Sequence, residues 1–159
     1  MALNLIRKVI TKMNIGEPKI KNFGRSDALL LEVHAEHLYA VAFQLRFDEN
    51  TKFEKMDFLS CYENKGKFYF SYFLSSSLHQ QTLVLRTAIV IPEFGKETAL
   101  FSLADVWSTA IPYEEEIFNL FGVVFLSRDK MSEQKKIDRG LDSFRFPLRK
   151  NYVWEDAVL

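Results

Sequence analysis

Two runs of alternating apolar and polar side chains, separated by a two-residue turn, restrict the fold of this chain more than any other feature. The runs are MDFLSCYEN, 56–64, and KFYFSYFLS, 67–75, with Lys65-Gly66 between them. Alternation with a period of two is typical of strands, and a two-residue turn ending in glycine is typical of a hairpin. A third apolar run follows at 81–91. The sequence therefore predicts three neighbouring strands.

The segments before these strands predict two helices and a further strand. Residues 2–14 and 35–47 each carry apolar side chains at the spacing of one helical face. Residues 28–33 form a compact apolar run, which is typical of a buried strand. This order predicts an α+β fold, a two-layer sandwich in which helices pack on one face of a mostly antiparallel sheet, plus an extended C-terminal tail.

Composition divides the chain into one domain and a tail. Residues 127–143 are charged and almost without apolar anchors, unlike the segments before them. We therefore expect a single α+β domain at 1–126, followed by a charged linker and an extended docking tail at 127–159. No segment approaches the ~20 consecutive apolar residues of a membrane-spanning helix. Membrane contact is therefore expected only through partner proteins.

The sequence offers few groups that could hold a cofactor or a metal. Its one cysteine, Cys61, excludes an intrachain disulfide and a cysteine-ligated cluster held by this chain alone. His34 and His37 have no cysteine or carboxylate at a metal-site spacing, and no glycine-rich phosphate loop is present. We expect no catalytic residue, no metal site and no cofactor site in this chain. Its 15 phenylalanines instead favour a buried interface with a partner.

The motif PYEEEIFNLFG, 112–122, places three consecutive glutamates against large apolar side chains. On a helix that begins at Pro112, successive side chains are about 100° apart. The packing stripe is then formed by Tyr113, Ile117, Leu120 and Phe121. Glu114 and Glu116 border this stripe and Glu115 points away from it, so the carboxylates cannot converge on one substrate or metal. In the first turn, each carboxylate would stabilise the helix by about 0.3–1 kcal/mol through its interaction with the helix dipole.

Two neighbouring features also concern packing. Ser102 and Asp105 fit a capping box, which would begin a short helix through Trp107. Phe118 lies off the apolar stripe of the following helix. An aromatic side chain in that position predicts a second packed surface.

Basic and aromatic residues are interleaved in the tail segment FRFPLRKNYVW, 144–154. Such a mixture can bind nucleic acid by stacking and phosphate contacts. It can equally anchor a tail to another protein. Because 21 basic side chains balance 21 acidic ones, no overall positive field favours nucleic acid. We therefore expect protein docking and no nucleic-acid partner.

The run SLADVWSTAIPYEEEIFNLFGVVF, 102–125, and the segment FPLRKNY, 146–152, together resemble a known family. It is the family of the C subunit of bacterial respiratory complex I, the 30-kDa subunit in mitochondria. The matching residues are Ser102, Asp105, Trp107, Glu114, Glu116, Phe118, Leu120, Phe121, Gly122, Val123, Phe125, Pro147, Leu148, Arg149, Lys150 and Tyr152. The motifs span about a third of the chain. The order of helices and strands upstream also agrees with the family's fold.

Three departures from the family pattern concern the assembly to which the chain belongs. Glu115 and Asn119 stand where the family has Arg and Asp, so both members of a possible i,i+4 ion pair are replaced together. Phe146 replaces a histidine before Pro-Leu-Arg-Lys, and the family's His-Pro-x-Leu-Arg-Arg segment has no counterpart. Related subunits occur in membrane-bound energy-converting hydrogenases and in formate hydrogenlyase, and these assemblies remain the alternative.

The resemblance implies a non-catalytic scaffold subunit in the hydrophilic arm of NADH:quinone oxidoreductase, at the cytoplasmic face of the bacterial inner membrane. The family's complex transfers electrons from NADH to quinone and couples this transfer to ion translocation. Its 30-kDa subunit packs against the D subunit, beside the B and I subunits, and the flavin and iron–sulfur clusters belong to other chains. The residues expected at subunit interfaces are Glu114, Glu116, Phe118, Phe121, Gly122, Arg149, Lys150 and Tyr152.

Overall fold

A computed structural model describes residues 2–13, 19–22, 28–92, 98–127 and 146–150, and within them the chain forms three α-helices and seven strands. The helices are α1 (Ala2–Lys12), α2 (Leu38–Phe47, after a 3-10 turn at Ala35–His37) and α3 (Ala110–Phe121). The strands are β1 (Lys19–Asn22), β2 (Leu29–Glu32), β3 (Lys55–Asn64), β4 (Lys67–Ser76), β5 (Gln81–Val90), β6 (Thr98–Phe101) and β7 (Val123–Leu126).

The main sheet has the order β1-β2-β5-β4-β3 among the described residues. Strands β3, β4 and β5 follow one another as antiparallel neighbours, and β1 pairs antiparallel with β2. The exception is the parallel pair of β2 and β5, which requires the intervening chain to cross over. The prediction of an α+β fold with a mostly antiparallel sheet is confirmed.

The β3–β4 hairpin forms at the predicted turn. Lys65 and Gly66 have φ angles of 47° and 70°, and two consecutive positive φ angles define the turn that matches the twist of a hairpin. This turn pairs Asn64 with Lys67 and sets the register of the two strands. The register shifts once, between Met56 and Phe58, where a β-bulge bends β3.

One face of the sheet packs against the helices and forms the core. Alternate residues of β4 point into it, so Phe68, Phe70 and Tyr72 are fully buried. Helix α1 contributes Ile6 and Ile10, both 1% exposed. Helix α2 contributes its apolar stripe of Leu38, Val41, Ala42 and Leu45. No helix in the described part of the chain is long and apolar enough to cross a membrane.

A β6–α3–β7 unit carries the candidate site, and the sequence predicted its helix but neither of its two strands. Strands β6 and β7 pair in parallel, and helix α3 connects them. Each strand has only four residues, too few for a reliable period. Two predictions here were wrong. Residues 104–106 form a turn instead of a helix through Trp107, and α3 begins at Ala110 instead of Pro112.

Candidate functional site

The three glutamates of α3 lie in different environments. Because the helix begins at Ala110, they occupy its second turn, and its first turn contains no acidic residue. The prediction that the helix dipole accounts for them was therefore wrong. Glu115 and Glu116 are exposed, whereas Glu114 is 6% exposed and shares the buried face with Ile117. Glu114 is thus part of the packing stripe that it was predicted only to border.

The Glu114 carboxylate joins α3 to the end of β6. Its Oε2 accepts a hydrogen bond of 2.6 Å from the Ser102 hydroxyl, and its Oε1 accepts one of 2.9 Å from the Leu103 backbone N–H. The Ser102 Oγ in turn accepts a hydrogen bond from the Ala104 N–H at 3.1 Å. Ser102 thus pairs with a glutamate on another element and does not form the predicted capping box with Asp105, which is exposed. These contacts hold the turn after β6 against the helix.

Burial shifts the pKa of the Glu114 carboxyl group. Removal from water raises the pKa of Glu114, although the hydrogen bonds from Ser102 and Leu103 oppose the rise and the Asp105 charge adds to it. The fully buried Tyr72 hydroxyl has no hydrogen-bond partner in the described part of the chain. Burial raises its pKa well above the usual value, and the negative charge of Glu114 adds to this. Burial therefore shifts both groups toward their neutral forms.

The C-terminal end of α3 supports the segment 146–150. Gly122 ends the helix in the left-handed conformation, with φ at 68°, and its N–H donates to the Phe118 carbonyl. A Cβ at this position would lie 2.7 Å from Cδ2 of Phe146, and closer still to two other ring atoms. Phe118 meets the same ring edge to face, with centroids 6.3 Å apart. The predicted second packed surface on α3 is therefore confirmed, and Phe146 covers it.

Arg149 completes this end of the helix from within the same chain. Its Nε donates a 2.6 Å hydrogen bond to the Phe121 carbonyl, one of the acceptors that a helix leaves unpaired at its end. Its guanidinium carbon lies 5.7 Å from the ring centroid of Phe68 and 5.0 Å from that of Phe146. A cation at a helix C-terminus and over aromatic faces is stabilising in both respects.

Leu148 and Lys150 bond to the chain through their backbone. The Leu148 N–H donates to the Leu120 carbonyl at 3.2 Å, and the Lys150 N–H donates to Oε2 of Glu63 at 2.9 Å. The side chain of Lys150 makes none of these contacts. Tyr152, the last of the expected interface residues, lies outside the described residues.

Sequence reasoning missed three partners of this site. Local spacing places Ser102 in a helix cap, the family pattern shows Phe146 only as a departure, and no motif marks Glu63. Each lies far along the chain from the residue it contacts, so no local spacing could have identified it. Phe118, placed off the apolar stripe, was the one signal that pointed to a covering group.

The arrangement suits structural support. Glu114 and Arg149 both bond to the chain's own backbone, and no group of three or more potential metal-ligating side chains occurs among the described residues. A separate cleft of about 370 Å³ opens near Arg46, Lys55 and Trp107. None of the expected site residues lines it. The candidate site therefore joins β6, α3 and residues 146–150 into one unit, and partners can contact only its exposed parts, such as Glu116.

Replacing Arg149 by lysine is expected to lower the free energy of unfolding by about 1–2 kcal/mol, because lysine loses the Nε bond to Phe121 and the guanidinium contacts with the Phe68 and Phe146 rings. Chemical denaturation of the 159-residue chain, followed by circular dichroism, measures this loss. Lys150→Ala is the matched control, since only the backbone of Lys150 is bonded, and its effect should stay below about 0.5 kcal/mol. Equal losses in both variants would contradict the role given to Arg149.

Comparison with known proteins gives a consistent result at the levels of sequence and fold. The family model described as respiratory-chain NADH dehydrogenase, 30 Kd subunit, matches residues 31–158. The C subunit of the NADH-quinone oxidoreductase of Albidiferax ferrireducens is 34% identical over 128 residues. The alignment covers 74% of this chain and 61% of that protein, so the chain spans about three fifths of the length of this curated relative.

Two solved structures share the fold. A chain in the structure of the membrane-bound sulfane sulfur reductase, an archaeal respiratory membrane complex, superposes with a TM-score of 0.64 and 18% identity. That match covers 95% of this chain and 85% of the other. The trypsin-resistant fragment of Nqo5 superposes with a TM-score of 0.54 and 20% identity, covering 79% of this chain and 96% of that fragment.

Proposed function

This chain belongs to the family of the 30 kDa subunit of respiratory-chain NADH dehydrogenase, and we propose on this premise that it is a non-catalytic scaffold subunit of an NADH:quinone oxidoreductase. The observation that carries the proposal is the family match over residues 31–158. That range contains the β6–α3–β7 unit, the segment 146–150 and every residue expected at a subunit interface.

The geometry of the site supports a scaffold role. A scaffold subunit must present its contact surface in one fixed arrangement, because ordering that surface during assembly costs free energy. Glu114 fixes the turn after β6 to α3, and Arg149 fixes the segment 146–150 to the end of the same helix. The buried glutamate and the arginine thus preorganise the surface, whereas exposed Glu116 is available to a partner.

The proposed partners are the other subunits of the hydrophilic arm, above all the D subunit, together with the B and I subunits. In this proposal the flavin and the iron–sulfur clusters are bound by partner chains, and this chain supports electron transfer from NADH to quinone without binding a cofactor. The complex holds it at the cytoplasmic face of the membrane, as a peripheral component.

Purification of the tagged chain from membranes of its native host, in mild detergent, tests this function. Mass spectrometry should identify the D, B and I subunits and the flavin-bearing subunits of the dehydrogenase, and the purified fraction should reduce quinone with NADH. Recovery of hydrogenase or formate hydrogenlyase subunits would overturn the proposal in favour of that related assembly. Recovery of the chain without any oxidoreductase subunit would overturn the scaffold role itself.

A further inference from the structure

The face of the main sheet turned away from the helices carries large aromatic side chains. We name it the open face; its aromatic members are Phe58 and Tyr62 of β3 and Phe73 and Tyr69 of β4. They alternate with core residues such as Phe70, so they point to the opposite side. Phe58 stacks on Phe73 with centroids 3.9 Å apart, and Tyr62 stacks on Tyr69 at 5.1 Å.

Part of this aromatic surface remains exposed to solvent. Phe58 is 43% exposed and Tyr62 is 41% exposed, although each already stacks on a neighbouring ring. Val90, at the end of β5 on the same face, is 67% exposed. Apolar side chains grouped in this way mark interaction surfaces more often than isolated ones do. Among the aromatic side chains, those of β3, at the edge of the sheet, are more exposed than those of β4.

Four lysines also lie on the open face, at the first residues of β3 and β4 and on β1 at the opposite edge of the sheet. The strand register places Lys55 opposite Ser75 and Lys67 opposite Val90, all on this face. The same alternation places Lys19 and Lys21 of β1 on it, because Ile20 between them packs against the core. All four lysines are exposed.

Few carboxylates offset these cations within the described part of the face. Glu32 lies 3.9 Å from Arg86, and Asp57 accepts a hydrogen bond from Ser75. The whole chain has a net charge of zero. The excess of positive charge on the open face is therefore local, and it favours a partner whose contacting surface is acidic.

We propose that the open face docks another protein subunit, whose contacting surface has an apolar centre and an acidic rim. The aromatic side chains of β3 and β4 supply the apolar contact, and the four lysines select and orient the partner. This inference rests on the proposed function, since it assigns the partner to the same respiratory complex. It adds a second contact surface, separate from the end of α3.

The ring geometry favours a protein over a single-stranded nucleic acid. Nucleic-acid bases bind aromatic side chains by stacking on an uncovered ring face. In the pairs Phe58–Phe73 and Tyr62–Tyr69, the interplanar angles are 15° and 9°, so the rings already cover one another. An apolar protein surface needs no such stacking geometry.

Charge reversal on the open face tests the proposal in the assembled complex. The double variant Lys55→Glu and Lys67→Glu, and separately Phe58→Ser, are expressed as tagged chains in the native host. Each should recover the partner subunits about tenfold less efficiently than the wild-type chain. The matched control is Phe43→Ser on α2, which removes an aromatic side chain of similar exposure, 48%, from the helical layer. The control should recover the subunits as wild type does.

The outcomes separate this proposal from the function on which it rests. If the wild-type chain recovers no dehydrogenase subunit, the proposed function fails and the docking surface fails with it. If the wild type recovers them and the open-face variants do so equally well, the docking surface alone is wrong. Loss of subunit recovery with Phe43→Ser instead would place the interface on the helical layer.

Binding of a single-stranded oligonucleotide that the Lys55 and Lys67 variant abolishes would identify nucleic acid as the occupant. Thermal unfolding of each purified chain verifies that the variants fold.

Discussion

Replacing Glu114 by alanine is expected to lower the free energy of unfolding by about 2–4 kcal/mol. The substitution removes both acceptors of a buried carboxylate and leaves the Ser102 hydroxyl and the Leu103 N–H without their partner. Leu103 is fully buried and Ser102 is 7% exposed, so water cannot readily replace the lost bonds. Chemical denaturation of the purified chain, followed by circular dichroism, measures the effect.

A double-mutant cycle isolates the contact between Glu114 and Ser102. Ser102→Ala alone should also destabilise the chain, and the double variant should lose less than the sum of the single losses, because both remove the same hydrogen bond. Glu116→Ala on the same helix is the control, since an exposed side chain should contribute less than about 0.5 kcal/mol. Additive losses in the cycle would show that the two residues stabilise the chain independently, contrary to the geometry.

The pH dependence of stability gives a second, independent measure of Glu114. Because burial raises its pKa in the folded state, the folded chain binds this proton more tightly than the unfolded chain does. The resulting stabilisation is complete below the ordinary value of 4.5 and is lost as the pH rises through the elevated folded pKa. Glu114→Gln cannot titrate, so the stability difference between wild type and this variant should shift in favour of the variant across that window. A difference that is constant with pH would contradict the raised pKa.

The sequence predicted those parts of the fold that depend on local patterns. Alternation on both sides of Lys65-Gly66 determined the hairpin, and helical spacing determined α1 and α2, because in each case the signal lies within one element. Strand β2 was predicted at 28–33 and observed at Leu29–Glu32 for the same reason. The short strands β6 and β7 escaped prediction because four residues give no measurable period.

The candidate site required contacts that no local pattern specifies. Ser102 and Glu114 are 12 positions apart and belong to different elements, so helical spacing could place the glutamate on a face but could not name its partner. The basic and aromatic neighbours of Arg149 in the sequence predict that it contacts an external partner. In the folded chain it bonds to Phe121, 28 positions away. Sequence identified the chemical types at the site, and only the tertiary structure separates the residues that support it from those, such as Glu116, that a partner could reach.

Replacing Gly122 by alanine is expected to lower the free energy of unfolding by about 2–3 kcal/mol, through two separate costs. The first is the left-handed backbone, with φ at 68°, which costs an alanine about 1 kcal/mol or slightly more. The second is the collision of the new Cβ with the Phe146 ring, which must move away. Moving Phe146 would also weaken its cation–π contact with Arg149, because the same ring lies against the guanidinium.

Gly66 provides a matched control for the backbone cost alone. Its φ angle is 70°, and a Cβ there would meet nothing within 4 Å. Gly66→Ala should therefore lower the free energy of unfolding by about 1 kcal/mol, which is the left-handed cost without the collision. The difference between the two variants measures the contact between Gly122 and Phe146.

Removing the Phe146 ring, the other partner of this contact, provides a further test. In a Phe146→Ala background, Gly122→Ala should cost no more than Gly66→Ala does, because the collision is absent and only the backbone cost remains. Limited trypsin digestion supplies a structural readout, since Gly122→Ala should expose the bond after Arg149 and speed its cleavage, whereas Gly66→Ala should not. If the excess cost persists without the Phe146 ring, another neighbour of Gly122 causes it. The glycine is then not required for the docking of residues 146–150 on the end of α3.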